Sequence, residues 1–239
     1  MEIDERELVV SYTAFVPARS GSKRVPNKNI TPLAGKPLFV WTLEACVKAD
    51  QVDSVIFSTD SEEYWALATK HVTSTKLELD FRSSDEAGDN VKIFDYLKDK
   101  SEKIFAGKQG AFLLTLPTVP LRTCAHVNEA IAKYETEGAP VFSATNYGFP
   151  ISFAFDLTDD GGWSPLFDDT PMTTGNTRSQ GQKEIYHPNG AIYVRAISDL
   201  ANPNLMTLYE NARPYLMDRF ASVDIDNEID FKLAEALLS

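Results

Sequence analysis

The segment richest in chemistry is Pro17-Ala18-Arg19-Ser20-Gly21-Ser22-Lys23-Arg24-Val25-Pro26-Asn27-Lys28-Asn29. Arg19, Lys23, Arg24 and Lys28 crowd together here, and the small residues between them let backbone N–H groups approach an anion closely. Arginine clamps two phosphate oxygens at once, and lysine supplies a mobile point charge. A polyphosphate is the natural guest. By itself a charge cluster reads first as a solvated basic turn. Its place decides otherwise: it follows the apolar, β-branched run Leu8 to Val16, and open α/β sheets bind ligands beyond the carboxyl ends of their strands. Neither G-x-x-x-x-G-K-[ST] nor G-x-G-x-x-G follows that run, which disfavours a P-loop NTPase and a dinucleotide dehydrogenase.

A second constellation lies near the other end, Ser222-Val223-Asp224-Ile225-Asp226, with Asp230 beyond it. On extended backbone, positions 224 and 226 share a face. Two carboxylates so placed suit Mg²⁺, which keeps several waters and takes substrate phosphate oxygens as further ligands. The competing reading is that Asp226 or Asn227 caps the last helix, with Asp230 in its first turn. A polyphosphate loop in the same chain strengthens the metal reading, because phosphoryl chemistry needs a cation against developing charge. Three single residues carry weaker signals. Asp60 follows a strand but also suits a helix cap. Arg122 ends a proline-shaped loop, where it would meet either an anion or a carbonyl. Asn189, in Pro188-Asn189-Gly190, offers an amide to a sugar hydroxyl, although an Asn-Gly turn needs no ligand.

The elements that must position these residues alternate. After the first strand and its loop, Pro37 sits where a helix starts, with Phe39, Val40, Leu43, Cys46 and Val47 at helical spacing. Val52–Ser58 reads as a strand, so the first part of the chain is a βαβ unit that implies a parallel sheet. Helices are expected over about 62–70, 91–97, 125–134 and 229–238, and strands over 111–116, 139–144 and 191–194. The whole is an α/β layered fold in one domain, 1–239. The stretch Tyr147–Lys183, rich in Gly, Asp, Thr, Pro and aromatics, shows no helical pattern and reads as an insertion, a candidate dimer arm.

The 239 residues carry 23 Lys+Arg against 35 Asp+Glu, a net charge of −12 that argues against nucleic acid and anionic membranes as partners. An anionic substrate therefore requires a local reversal of the global sign. The start is acidic where a secretory leader would be basic, no apolar run has spanning length, and Cys46 and Cys124 suit a reducing cytoplasm. The histidines His71, His126 and His187 are scattered and form no metal motif.

The motifs Pro17 to Asn29, Leu113 to Arg122, Asn189 to Tyr193 and Asp224 to Phe231 resemble, in content and order, the acylneuraminate cytidylyltransferases, or CMP-sialic acid synthetases. The resemblance spans about Leu8 to Leu238. In the related Kdo enzymes the later half of the first motif reads R-L-P-G-K-P; here it is Arg24-Val25-Pro26-Asn27-Lys28-Asn29. The resemblance implies a Rossmann-like nucleotidyltransferase fold, a mostly parallel sheet with helices on both faces and a small dimerisation arm at about 147–183. It implies a homodimer, CTP and an acidic sugar as substrates, and Mg²⁺ as cofactor. By position, Arg19, Ser22, Lys23, Lys28 and Asn29 would hold the phosphates and cytidine, with Arg82 near the cytosine. Asp224 and Asp226 would hold the metal, and Arg19, Lys28 and Asp226 would be catalytic. Thr118, Arg122, Arg178, Gln180 and Asn189 would face the sugar.

The implied reaction is attack of the sugar's anomeric oxygen on the α-phosphate of CTP, with release of pyrophosphate. Departures fall mostly on the sugar side. Where the family reads L-Q-P-T-S-P-L-R, this chain has Leu116 for Gln and Val119 for Ser. Phe149 replaces a usual histidine, and the family's R-Q lands on Ser179 and Gln180, with Arg178 one place off. Asp89-Asn90-Val91-Lys92-Ile93 replaces D-T-A-S-S. The leading expectation is therefore a synthetase whose nonulosonic acceptor differs from ordinary N-acetylneuraminate. The alternatives are a Kdo-type or other sugar nucleotidyltransferase, and a nucleotide-binding protein without turnover.

Overall fold

A computed structural model describes residues 10–22, 25–176, 178 and 181–238. The strands and helices follow in the order β1 (Tyr12–Pro17), β2 (Pro32–Leu33), β3 (Lys36–Pro37), α1 (Leu38–Lys48), β4 (Val52–Thr59), α2 (Glu62–His71), β5 (Leu77–Phe81), α3 (Ile93–Ile104), β6 (Ala111–Leu114) and α4 (Cys124–Glu137). They continue with β7 (Val141–Asn146), β8 (Phe155–Leu157), β9 (Trp163–Pro165), α5 (Pro171–Thr174), β10 (Tyr186–Ala196), β11 (Arg213–Leu216) and α6 (Glu228–Leu238).

Seven strands form one sheet in the order β11-β7-β10-β6-β1-β4-β5. β1 lies parallel to both β4 and β6, β4 to β5, and β11 to β7; β10 alone runs antiparallel, between β6 and β7. The period of two along each strand sorts its side chains between two cores. Ala14, Val16, Val55, Phe57 and Leu113 pack with Phe39, Val40 and Leu43 of α1, Tyr64 and Ala68 of α2, and Val127, Ala130 and Ile131 of α4. Phe15, Ile56, Phe112 and Leu114 point the other way, onto Tyr96, Leu97 and Ile104 of α3. Coverage of both faces explains why β1 and β6 read as unbroken apolar runs rather than alternating ones.

The chain winds from β1 to β4 to β5 in one direction, then returns to lay β6 on the opposite side of β1. That reversal opens a crevice at the carboxyl ends of β1 and β6. The loops leaving these two strands, 17–31 and 115–123, therefore face each other across it. β10 carries a register break between Pro188 and Tyr193, where Gly190 takes a positive φ of 73°.

Two strands of the seven-stranded sheet escape the sequence reading for identifiable reasons. β5 is an edge strand whose Leu79 and Phe81 stay exposed, so its pattern lacks a clear buried face. β11 contains Pro214, which argues against a strand but is tolerated at a sheet edge. The first strand begins at Tyr12 rather than at Leu8, which lies outside the described residues. Within 147–183 the chain forms the β8–β9 hairpin, and the single helical turn α5 stands where no helix was expected. That turn is set by Thr170, whose side chain accepts the Met172 N–H, with Pro171 at the first helical position.

Gly110 shows how tightly β6 is seated. It takes φ 87°, and a Cβ there would overlap the Ser11 carbonyl oxygen that accepts the Ala111 N–H. Gly110→Ala should lower unfolding free energy by at least about 2 kcal/mol, read from urea denaturation. A change within error would show that the loop ahead of β6 yields freely.

Candidate active site

The loop after β1 has little repetitive backbone structure, so its shape depends on individual anchors. Asp60, just beyond β4, grips Ser20 twice: Oδ1 accepts the backbone N–H and Oδ2 accepts the Oγ–H, both at 2.8 Å. Ser61 takes the helix-cap role instead, its Oγ accepting the Tyr64 N–H. The buried Asn29 amide donates to the Arg19 carbonyl at 2.9 Å. Lys28 opens a short 3₁₀ turn, and Asn27 before it holds a left-handed φ of 56°. Asparagine is the residue besides glycine that visits this conformation readily, which fits Asn27 standing where the Kdo-type motif has Gly.

This loop, the loop after β6 and the 82–93 segment enclose a cleft of about 540 Å³. Arg19, Ser22, Lys28, Asn29, Arg82, Thr118 and Asp226 line it, as do Asp89 and Leu116. Lys28 Nζ donates to the Ile225 carbonyl and lies 3.5 Å from Asp226 Oδ1, so the loop after β1 meets the aspartate segment directly. Arg19 Nη1 pairs with Asp89 at 2.8 Å and donates to the Ala87 carbonyl at 3.3 Å.

Arg82 is almost wholly buried at the cleft wall. Its Nη2 donates to the Ser58 carbonyl at 3.2 Å, its guanidinium lies over the Tyr96 ring, and Nε has no hydrogen-bond partner among the described residues. Burial lowers its pKa; Tyr96, Asp60 and Asp80 oppose that fall, and Arg19 adds to it. Beneath it, Asp80 accepts from Ser58 at 2.7 Å and Tyr96 at 2.9 Å, with Lys103 at 3.4 Å.

At the aspartate segment, the Ile225 side chain is buried and its N–H donates to the Thr118 carbonyl at 2.7 Å. Asp224 and Asp226, on either side of it, therefore turn outward together. Capping falls to other residues. Asn227 Oδ1 accepts the Ile229 N–H at 2.8 Å, and Asp230 Oδ2 accepts the N–H groups of Asp226 and Asn227 at 2.8 and 2.9 Å. Asp226 is thereby left out of the cap. The Asp224 carboxyl is raised above its ordinary pKa chiefly by desolvation, although the residue as a whole is exposed; Asp226 and Asp230 add to the rise, while Thr118 and Lys28 counter it. A pair of repelling carboxylates with hard oxygen donors fits a divalent cation that completes its shell with water and phosphate oxygens. Among the described residues no group of three or more His, Cys, Asp or Glu side chains forms a metal cage.

Two residues expected at the sugar stand away from the cleft lining. Arg122 is buried, with Nη1 donating to the Ala191 carbonyl at 2.7 Å and Nη2 to Thr42 Oγ1, and burial pushes its pKa down to about 10. It ties the loop after β6 to β10 and α1, and it does not line the cleft. Asn189 is also buried. Its Nδ2 donates to Ser222 Oγ at 2.8 Å and its Oδ1 accepts the Ala191 N–H at 3.1 Å, so its amide braces the β10 break. Arg178 lies exposed in the excursion and outside the cleft lining. Lys23 and Gln180 fall outside the described residues. Of the departures, Val119 is in the core and Phe149 packs on Phe153 at 5.2 Å, whereas Leu116, Val91 and Ile93 line the cleft. Asp60 and Asp89 are the site residues that sequence reasoning undervalued.

A family model described as cytidylyltransferase matches residues 13–160, more than half of the chain. The chain belongs to the cytidylyltransferase family. An N-acylneuraminate cytidylyltransferase of Escherichia coli is 35% identical over 225 residues, which cover 92% of this chain and 50% of that protein. This family member thus spans about half the length of that relative. A CMP-N,N'-diacetyllegionaminic acid synthase of Legionella pneumophila is 29% identical, covering 94% of this chain and 95% of its own. A solved CMP:2-keto-3-deoxy-manno-octonic acid synthetase complexed with CTP superposes with a TM-score of 0.64 at 13% identity, covering 95% of this chain and 98% of that one. The fold is accordingly the Rossmann-like one of the nucleotidyltransferases.

Two outcomes test this account of the site. A carboxyl whose folded-state pKa is raised contributes stability at low pH that is lost as pH rises through that pKa. Asp224→Asn should therefore raise the thermal midpoint at neutral pH in divalent-free buffer, with the gain shrinking in acid; equal midpoints at neutral pH would count against the repulsion. Arg122→Leu should cost about 2 kcal/mol or more in urea unfolding, because it strands the Ala191 and Leu116 carbonyls. A variant of unchanged stability would reopen a substrate role for Arg122.

Proposed function

We propose that this protein transfers CMP from CTP to the anomeric oxygen of an acidic nine-carbon 2-keto sugar, sialic acid or a related nonulosonic acid, and releases pyrophosphate. The reading is carried by the convergence of Arg19, Lys28, Asn29, Arg82, Thr118 and Asp226 on one cleft at the switch point of a cytidylyltransferase-family sheet. The polyphosphate would lie against the 17–31 loop, with Arg19 and Lys28 stabilising charge as it develops. The Arg82 Nε–H, buried and without a partner among the described residues, would be offered to the nucleotide beside it.

The sugar's anomeric hydroxyl gives up its proton to solvent water as its oxygen bonds to the α-phosphorus. The bond to the bridging oxygen breaks, and pyrophosphate leaves with that electron pair. Asp224 and Asp226 would hold Mg²⁺, which when bound neutralises phosphate charge. The placement of Lys28 beside Asp226 brings the phosphate and metal ends of this arrangement together.

Thr118 and Leu116 would form the wall for the sugar, and Leu116 offers apolar surface where the resemblance implies an amide. That supports an acceptor other than ordinary N-acetylneuraminate. A homodimer is supported by the aromatic and aliphatic surface of the excursion, where Phe149, Phe155, Leu157, Trp163 and Leu166 are all exposed. A cytoplasmic setting is supported by the free thiols Cys46 and Cys124. No helix among the described residues is long and apolar enough to cross a membrane.

The deciding assay supplies CTP, Mg²⁺ and, separately, N-acetylneuraminate, a diacetamido nonulosonate of the legionaminic type, and Kdo, and follows pyrophosphate. Release with a nine-carbon acid, abolished by Asp226→Ala in a folded protein, is the expected result. Preference for Kdo would move the acceptor class. Tight CTP binding without release from any sugar would leave a nucleotide-binding protein and sink the transferase reading.

A further inference from the structure

Arg19 meets the 82–92 segment through a single atom. Nη1 is held by the Asp89 carboxylate at 2.8 Å and the Ala87 carbonyl at 3.3 Å, while Nε and Nη2 meet no acceptor among the described residues. The edge formed by Nε and Nη2 presents two parallel N–H groups, the geometry that takes two phosphate oxygens at once. Both partners of the ion pair are about one-third exposed, at 34% and 36%, so the pair adds little to stability. Its effect is on orientation. An arginine side chain is rich in rotamers, and one end clamped by a carboxylate and a carbonyl removes most of that freedom before any ligand arrives.

We propose that Asp89 is a positioning residue for the transfer: it fixes Nη1 of Arg19 from across the cleft and so turns the opposite edge of the guanidinium toward the nucleotide phosphates. This rests on the cytidylyl-transfer reading. The arrangement carries a cost in ground-state binding, because a carboxylate beside the phosphate site repels the incoming polyanion. Asp89 thus trades nucleotide affinity for the placement of a charge that matters most when the leaving group forms.

The test uses Asp89→Asn, Arg19→Ala and the double variant in the full chain. Asp89→Asn should lower kcat by about tenfold or more, as a misplaced charge does, with the dissociation constant for CTP unchanged or lower. In the Arg19→Ala background the same substitution should change kcat by less than about twofold, since the effect passes through Arg19. Parallel loss of kcat, CTP affinity and thermal midpoint would assign Asp89 a merely structural role and overturn the proposal. So would an undiminished kcat, or equal losses in both backgrounds.

A second readout needs no turnover. ¹⁵N relaxation at Arg19 Nε, assigned with Arg19→Ala, should show a rigid N–H in the parent and a mobile one in Asp89→Asn, with the backbone spectrum otherwise preserved. Equal rigidity in the two proteins would overturn the positioning role even if the transferase reading stands. Absence of turnover in the parent, with the loss of rigidity intact, would overturn only the transferase reading.

Discussion

The bidentate hold of Asp60 on Ser20 is the contact on which the cleft depends. The loop after β1 gathers cations and must present them beyond the edge of a sheet, without a ladder of its own to keep its shape. Like charges brought together repel, and the repulsion is tolerable only where carboxylates interleave with them. Asp60 anchors the start of the loop, Asp89 faces Arg19, and Asp226 faces Lys28. These anions come from three remote parts of the chain. The sheet brings them together, because β4, the 82–92 segment and the aspartate segment all end or turn at the carboxyl edge beside β1.

The same topology explains why the sequence departures differ in meaning. Val119 substitutes in the core, where a β-branched apolar side chain packs well and touches no ligand. Leu116, three residues earlier on the same loop, lines the cleft and gives it apolar surface. Arg122 and Asn189 look like ligands by type, yet in the structure both Nη atoms of Arg122 meet backbone carbonyls and Thr42, and the Asn189 amide braces the break in β10. A buried guanidinium that satisfies two carbonyls is a structural part, because exposing it to a sugar would strand those acceptors.

Much of the architecture was legible in the chain itself. Alternating apolar runs and helical spacings located β1, α1, β4, α2, β6, α4, β7 and α6, because inner strands and packed helices leave a strong pattern. The edge strands β5 and β11 were not legible, since a half-exposed edge imposes a weaker pattern and Pro214 carries a contrary signal. Of the residues that line the cleft, Arg19, Ser22, Lys28, Asn29 and Asp226 stood out because their spacing is local. Asp60 and Asp89 did not, because each acts on a residue about 40 or more positions away, at Ser20 or Arg19.

The net charge of −12 belongs to the sequence alone, as do the cation-rich loop, the spacing of Asp224 and Asp226 two residues apart, and the α/β rhythm. These follow from composition and from periods of two or 3.6 residues, which any reader of the chain can count. Tertiary structure decided which polar groups face the cleft and which are consumed inside. It assigned capping to Asn227 and Asp230, freeing Asp226 from that task, and it set Asp89 against Arg19. The physical reason is that a buried polar atom takes whichever partner the packing supplies, and the packing is a property of the assembled sheet rather than of any local spacing.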